Sequence, residues 1–266
     1  MTVGAGTGSG SRTTSRVRAA APNHQFPEMP VGRARTERHA IRPADPATVT
    51  AALASAARIS PSCVVGQDDT GEPLRSFYDD RDALAEAVRR VGTRYEATEA
   101  RVAASTLHFL VAARLWSVAL GALATGGVVP DLSRLRYRID QDASVRLSLP
   151  EPGGWTTGDP APLLLHTVVE EHLTPFHVGL RAVVKVADGL LWGNAGAALR
   201  SALRPLPAGL GTLGDELLTA PALRGTLLPD GTRRSCCLFY RTPSGNTCRA
   251  CPLAGAAVTR PGKCHS

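Results

Sequence analysis

The chain reads as an α+β protein: a predominantly helical domain with a small antiparallel sheet and a cysteine-rich C-terminal segment. Three observations point there. From about residue 46 to residue 220, apolar residues recur mostly at three- and four-residue steps, the period of amphipathic helices. Residues 135–149 instead alternate at period two across a Gln-Asp-Ala turn, as a hairpin does. Four of the six cysteines, Cys236, Cys237, Cys248 and Cys251, then crowd into one stretch near the C-terminus. The expected organisation is a disordered tail over 1–45, a helical scaffold over 46–230, a cysteine segment over 231–254 and a flexible tail over 255–266.

Residues 1–45 are rich in Gly, Ser, Thr, Arg and Pro without hydrophobic periodicity, so they bury too little apolar surface to offset the entropy of ordering. Gly4-Ala-Gly-Thr-Gly-Ser-Gly10 has no strand before it and no helix after it, so it is not read as a phosphate loop. The tail lacks the apolar core and the twin arginine of export signals, and Met29 offers an alternative start. The first helix runs from Pro46 to Arg58, with Asp45 as N-cap and Pro46 in the first turn. A second, Asp79 to about Tyr95, sets Leu84, Ala87, Val88 and Val91 on one face.

The third helix, Glu96 to Thr125, is the longest, and its C-terminal half is apolar nearly all round. Such a helix is either buried in a core or a membrane span. The uncharged run from Leu115 to Val129 is too short to span, which leaves the core. Arg114, two residues before Trp116, then needs a partner, either a salt bridge or a substrate. Pro150 to Pro162 reads as a loop, and 162–206 as two or three helices broken at Thr174-Pro175 and near Ala187-Asp-Gly189. Trp192-Gly193-Asn194 places glycine and asparagine in mid-helix at a cost in helix stability. The position therefore serves close packing or delivers a polar group. His166, His172 and His177 lack the i, i+4 spacing of a helical metal pair and read as surface or core histidines. A short helix over Leu213 to Ala220 leads into the cysteines.

The net charge of +7 is mostly a property of the tail, where seven arginines stand against Glu28, Glu37 and Asp45. All basic residues except Lys185 and Lys263 are arginine, a compositional bias rather than a phosphate-binding face, so no nucleic-acid partner is expected.

The spacing C-C-x10-C-x2-C leaves three fates for the thiols. Disulfides belong to oxidising compartments and to domains too small for a core, which this chain is not. Zinc suits the C-x-x-C half, which curls as a knuckle. The adjacent pair suits it less, because successive side chains on a strand point to opposite faces, and both thiols reach one site only where the backbone breaks. A two-iron cluster offers two metals for the pair to share, with thiolates as its usual ligands. On these grounds iron–sulfur and zinc both stay open. Locally, Ser235 to Arg241 reads as strand-like and Thr242-Pro-Ser-Gly245 as a type I turn that folds Cys248 and Cys251 back onto Cys236 and Cys237. Arg233, Arg234, Arg241 and Arg249 surround them. Cys63 reads as a buried small hydrophobe, and Cys264 as no ligand.

The cysteine pattern resembles that of the FhuF-like ferric-siderophore reductases. Ala113-Arg-Leu-Trp-Ser-Val-Ala-Leu-Gly121, Gly127-Val-Val-Pro-Asp-Leu132 and Leu190-Leu-Trp-Gly-Asn-Ala-Gly-Ala-Ala-Leu199 look like segments of the actinobacterial members. The resemblance covers roughly residues 50 to 254 and implies a [2Fe-2S] cluster held by Cys236, Cys237, Cys248 and Cys251. It implies a cytoplasmic, one-electron reduction of a ferric siderophore, of the hydroxamate class, that releases Fe(II) for iron acquisition. No G-x-G-x-x-G follows a strand, so electrons are expected from an external donor such as a ferredoxin or ferredoxin reductase. Transient contact with a siderophore importer at the membrane is a further expectation. Arg114, Trp116, Trp192 and Asn194 are the candidate substrate contacts. The alternative is an iron–sulfur redox sensor, or a non-catalytic siderophore-binding protein with a structural metal site.

Overall fold

The structure, a computed structural model, describes Met1 and residues 40–254. The readings of the tail before residue 40, of 255–266 and of Cys264 lie outside the described residues.

After β1 (Arg42–Pro43), α1 spans Pro46–Ile59, and its N-cap Asp45 accepts from the Thr48 N–H at 3.3 Å. Strand β2 (Glu72–Pro73) leads into a short helix, α2 (Leu74–Asp79), absent from the sequence reading. Asp80 then opens α3 (Arg81–Arg94), its Oδ1 accepting from the N–H groups of Asp82 and Ala83 at 3.0 and 2.9 Å. Glu96, with φ 50, sits in the left-handed region, so the long helix α4 begins only at Ala100 and runs to Gly126. Gly127, also left-handed, ends it.

Helix α4 is the axis of the core, with α1, α3 and α7 (Asp188–Leu203) packed on it. It is long and apolar enough to cross a membrane, yet 67% of its most apolar window is buried inside the fold. Leu107, Leu115, Trp116 and Leu120 are fully enclosed. At roughly 1.5–3 kcal/mol per large apolar side chain, such residues dominate the stabilisation.

Two three-stranded antiparallel sheets flank the helices. The expected hairpin is β4 (Arg136–Ile139) with β5 (Val145–Ser148), in register Tyr137↔Leu147, and β2 completes that sheet. The second sheet, β1–β6–β3, joins β3 (Val129–Pro130) to β6 (Gly154–Thr156) inside the stretch read as a loop. Strands of two or three residues carry no measurable period, which hid them.

The expected break at Thr174-Pro175 does not occur. The chain stays helical from α5 (Ala161–Leu164) through a π-helical turn, Leu165–Leu173, into α6 (Thr174–Val183). Proline lacks an N–H and its ring crowds the carbonyl four residues back. The wider π register moves the bonds to i−5, as from the Thr174 N–H to the Val169 carbonyl, and the proline falls in the first turn of α6. The last α-helix among the described residues, α8 (Gly211–Leu217), precedes a run of turns.

Among the described residues the histidines are core residues, apart from half-buried His166, which meets Glu170 at 2.9 Å. His172 is satisfied on both ring nitrogens, by the Tyr78 hydroxyl at 2.9 Å and the Leu132 carbonyl at 3.0 Å. His177 faces His108 across α4 and α6, Nε2 to Nε2 at 2.5 Å. Burial holds all three neutral, pushing His172 down to about 4, His177 to about 3 and His108 well below the usual range. The unfolded chain therefore takes up protons that the folded one refuses, so stability is full above the ordinary histidine pKa and lost as pH falls. Unfolding free energies followed by tryptophan fluorescence should drop between about pH 6.5 and pH 4.5, the slope steepening toward three protons, or ~4 kcal/mol per pH unit. A flat profile across that window would show the rings to be solvated.

Candidate metal centre

The cysteine segment lies against α7 and the N-terminal half of α4. Two glycines on α7 let it approach: a Cβ at Gly193 would fall 2.4 Å from Ser235 Oγ, and one at Gly196 would fall 2.5 Å from Thr226 Oγ1. Ser235 Oγ donates to the Gly189 carbonyl at 2.9 Å, fixing the chain just before the thiol pair. The Ser105 hydroxyl, buried on α4, donates to the Cys237 carbonyl at 2.7 Å. Asn194, wholly buried on α7, donates to the Ser105 carbonyl at 2.8 Å. The mid-helix Gly193-Asn194 pair thus serves both of the purposes its sequence suggested.

Around the thiols the backbone is not a strand. Leu238 is left-handed at φ 67, and Phe239–Arg241 forms a 3-10 turn. The break needed for vicinal cysteines to serve one site falls directly after them. The expected turn at 242–245 is present, with the Gly245 N–H donating to the Thr242 carbonyl at 2.9 Å. A second turn joins Cys248 to Cys251, the Cys251 N–H donating to the Cys248 carbonyl at 3.0 Å. Arg241 Nη1 meets Glu99 Oε1 at 2.7 Å and Phe239 packs edge-on against Tyr95 at 5.7 Å, tying the loop to the start of α4.

All four thiols are free, and Cys236 and Cys248 each lie within electrostatic reach of both Cys237 and Cys251. Interaction between the neighbouring Cys237 and Cys248 thiols pulls Cys237 down, helped by Arg233, and pushes Cys248 up. Burial raises Cys236. Backbone N–H groups already point at sulfur, from Leu238 to Cys236 Sγ at 3.3 Å and from Leu253 to Cys251 Sγ at 3.4 Å. Donors of this kind stabilise thiolate over thiol, and hydrogen bonds to sulfur are among the levers on a cluster's potential. Among the described residues no three His, Cys, Asp or Glu side chains converge on a point that one ion could occupy.

Arg233 is the residue sequence reasoning undervalued. It is only 2% exposed, donates through Nη1 to Asn194 Oδ1, and stacks over Phe109 at 5.3 Å. Its Nε is buried without a partner. Among the described residues no carboxylate forms an ion pair with it, whereas its charge acts on Cys236, Cys237 and Cys248. Burying a lone guanidinium costs several kcal/mol, so thiolates ligating a bound cluster would serve as its counter-charge.

Two cavities flank the thiols. One, about 220 Å³, is mostly apolar and includes Tyr95, Phe109, Cys237 and Phe239. The other, about 630 Å³, includes Phe109, Arg200, Arg204 and Arg249. Cys248 and Arg233 line both. A further cavity of about 260 Å³, under Phe77 and Tyr137, lies away from the cysteines.

None of the four candidate substrate contacts lines the larger cavity. Arg114 donates to the carbonyls of Pro61 and Val64, so its half-buried charge is met by backbone oxygens rather than a carboxylate. It sits nine residues from Ser105, about 14 Å along α4. Trp116 has no exposed surface. Trp192 packs on His177 at 4.1 Å, and Asn194 supports the site from beneath.

Residues 233–253 match the FhuF 2Fe-2S C-terminal domain, a family model whose span holds Cys236, Cys237, Cys248 and Cys251. No curated protein matches the chain. The domain indicates a [2Fe-2S] cluster, and the residues fit one: four thiols, two N–H···S donors and a buried cation without a carboxylate.

Serine at Cys236, Cys237, Cys248 or Cys251 should abolish or severely deplete iron and acid-labile sulfide, while Cys63→Ser, remote beneath α1 and α4, leaves the visible spectrum unchanged. Cluster retention in any of the four would remove that residue from the ligand set. Arg233→Gln takes one positive charge from beside the thiolates, and two unit charges ~6 Å apart interact by about 3 kcal/mol at an effective dielectric of ~20. A redox titration should find the potential lower by on the order of 100 mV. An unmoved potential at full cluster loading would refute Arg233 as the counter-charge.

Proposed function

We propose that this chain, with its FhuF-type [2Fe-2S] segment, is a ferric-siderophore reductase of the cytoplasm. The observation that carries the reading is Cys248, which stands in the wall of a cavity of about 630 Å³. That volume lies within the range of small-molecule sites, so a chelate seated there would touch a cluster ligand. A [2Fe-2S] cluster held by Cys236, Cys237, Cys248 and Cys251 would supply the single electron that turns chelated Fe(III) into Fe(II), with an external one-electron donor of the ferredoxin class as its source.

The chain's own residues bind and position. Fe(III) is a hard ion held tightly by oxygen ligands, and Fe(II) binds the same oxygens far more weakly, so reduction is itself the release step. No acid, base or nucleophile is required. Ser105, Asn194 and Ser235 hold the segment in place on α4 and α7. Arg233 favours the state with one more negative charge. The free cysteines among the described residues are consistent with a reducing compartment.

Anaerobic addition of ferric siderophores to dithionite-reduced protein, freed of excess reductant, should restore the oxidised visible spectrum. An Fe(II) chelator should trap ferrous iron in equal amount. If no ferric chelate restores the spectrum although the cluster re-oxidises with a generic acceptor, the protein is not a reductase of this class.

A further inference from the structure

The larger cavity beside Cys248 is one-sided in charge. Arg200 and Arg204, one turn apart on and just after α7, face Arg249 from the C-x-x-C turn, with Arg233 at the base. Asp230 is the acidic lining residue, and its Oδ1 is turned back onto the Thr232 N–H at 2.8 Å. Arg200 reaches Asp215 at 3.3 Å, across a largely exposed contact. Among the described residues neither Arg204 nor Arg249 forms an ion pair, and burial first, then the charge of Arg249, disfavours the charged form of Arg204. Like charges gathered without a partner round a concave site are what an anion would relieve. Arg233, whose Nε is buried without a hydrogen-bond partner, adds to the positive lining.

We infer that this cavity is the chelate site and that it selects ferric complexes carrying net negative charge, of the catecholate or carboxylate type. The inference rests on the reductase reading and sharpens it. It departs from the hydroxamate expectation, because a neutral trihydroxamate complex gains little from the arginines and a cationic one is repelled. Guanidinium groups suit carboxylate and catecholate oxygens, which they meet with paired planar donors. The electron that reduces Fe(III) adds one negative charge to the complex, so the same arginines hold the reduced chelate more strongly than the oxidised one. A protein donor with an acidic face could use this wall too, but a recess of about 630 Å³ fits a small molecule better than a convex surface.

Redox-inert Ga(III) complexes separate binding from electron transfer. With the oxidised, cluster-loaded protein, a triply anionic Ga(III) tricatecholate should bind at least tenfold more tightly than a neutral or cationic Ga(III) trihydroxamate, and less tightly as salt rises. Arg204→Gln and Arg200→Gln should each weaken the anionic complex several-fold with the visible spectrum intact, and Arg204→Lys should recover most of the loss. Equal binding of the neutral complex, or indifference to both glutamine variants, overturns the inference. So does a variant that slows the donor while leaving the chelate affinity unchanged. The two readings fail separately. If ferric chelates of every charge re-oxidise the protein alike, the reductase stands and the selectivity falls. If anionic Ga(III) binds through the arginines but no ferric chelate re-oxidises the protein, the site stands and the reductase falls.

Discussion

The structure around the thiols depends on a positive charge enclosed without a carboxylate. Arg233 is almost fully buried, and its partners are an amide oxygen, an aromatic face and sulfur. Leaving a guanidinium so placed is unfavourable unless something anionic sits beside it. The protein has arranged its thiols there and given two of them backbone donors. Stability of the segment and the redox balance of its cofactor are therefore linked through one side chain. Interior hydrogen bonds that support Arg233 support the site as a whole.

That support comes from the two most buried helices. Helix α4 supplies Ser105 and α7 supplies Asn194, and the asparagine bridges the Ser105 carbonyl to the guanidinium. Four elements remote in sequence are thereby locked together: α4, α7, the loop before the cysteines and the first cysteine turn. The C-terminal segment has few apolar residues of its own and depends on a preformed surface. The hydrophobic core, organised round α4, fixes where that surface lies.

Much of this was legible in the sequence. The four thiols, the turn at 242–245 and the long apolar helix declare themselves, because turn chemistry and hydrophobic period are local properties. Gly193-Asn194 announced a contact without saying with what; its partners, Ser235 and Arg233, are about forty residues away. The strand expected at 235–241 failed because neighbouring ligands on one site need a kink, supplied here at Leu238, and strand propensity does not register that demand. The sequence marks Arg114 as the arginine in need of a partner and Arg233 as one of four around the thiols. Only folding shows that Arg114 meets two backbone carbonyls, while Arg233 meets an amide oxygen and an aromatic face beside the thiols. The basic cavity draws on Arg200, Arg204 and Arg249 from separate parts of the chain, which no motif unites.

The bare face of α7 imposes an inverted rule on variation. Alanine in place of glycine within a helix ordinarily adds up to about 1 kcal/mol. At positions 193 and 196 the added methyl would intrude on Ser235 and Thr226 instead. A more stable helix would then come at the expense of its passenger, prising the cofactor-bearing arm off the body while the globule itself remained sound. Selection for robustness and selection for a seated redox centre pull in opposite directions along a single turn.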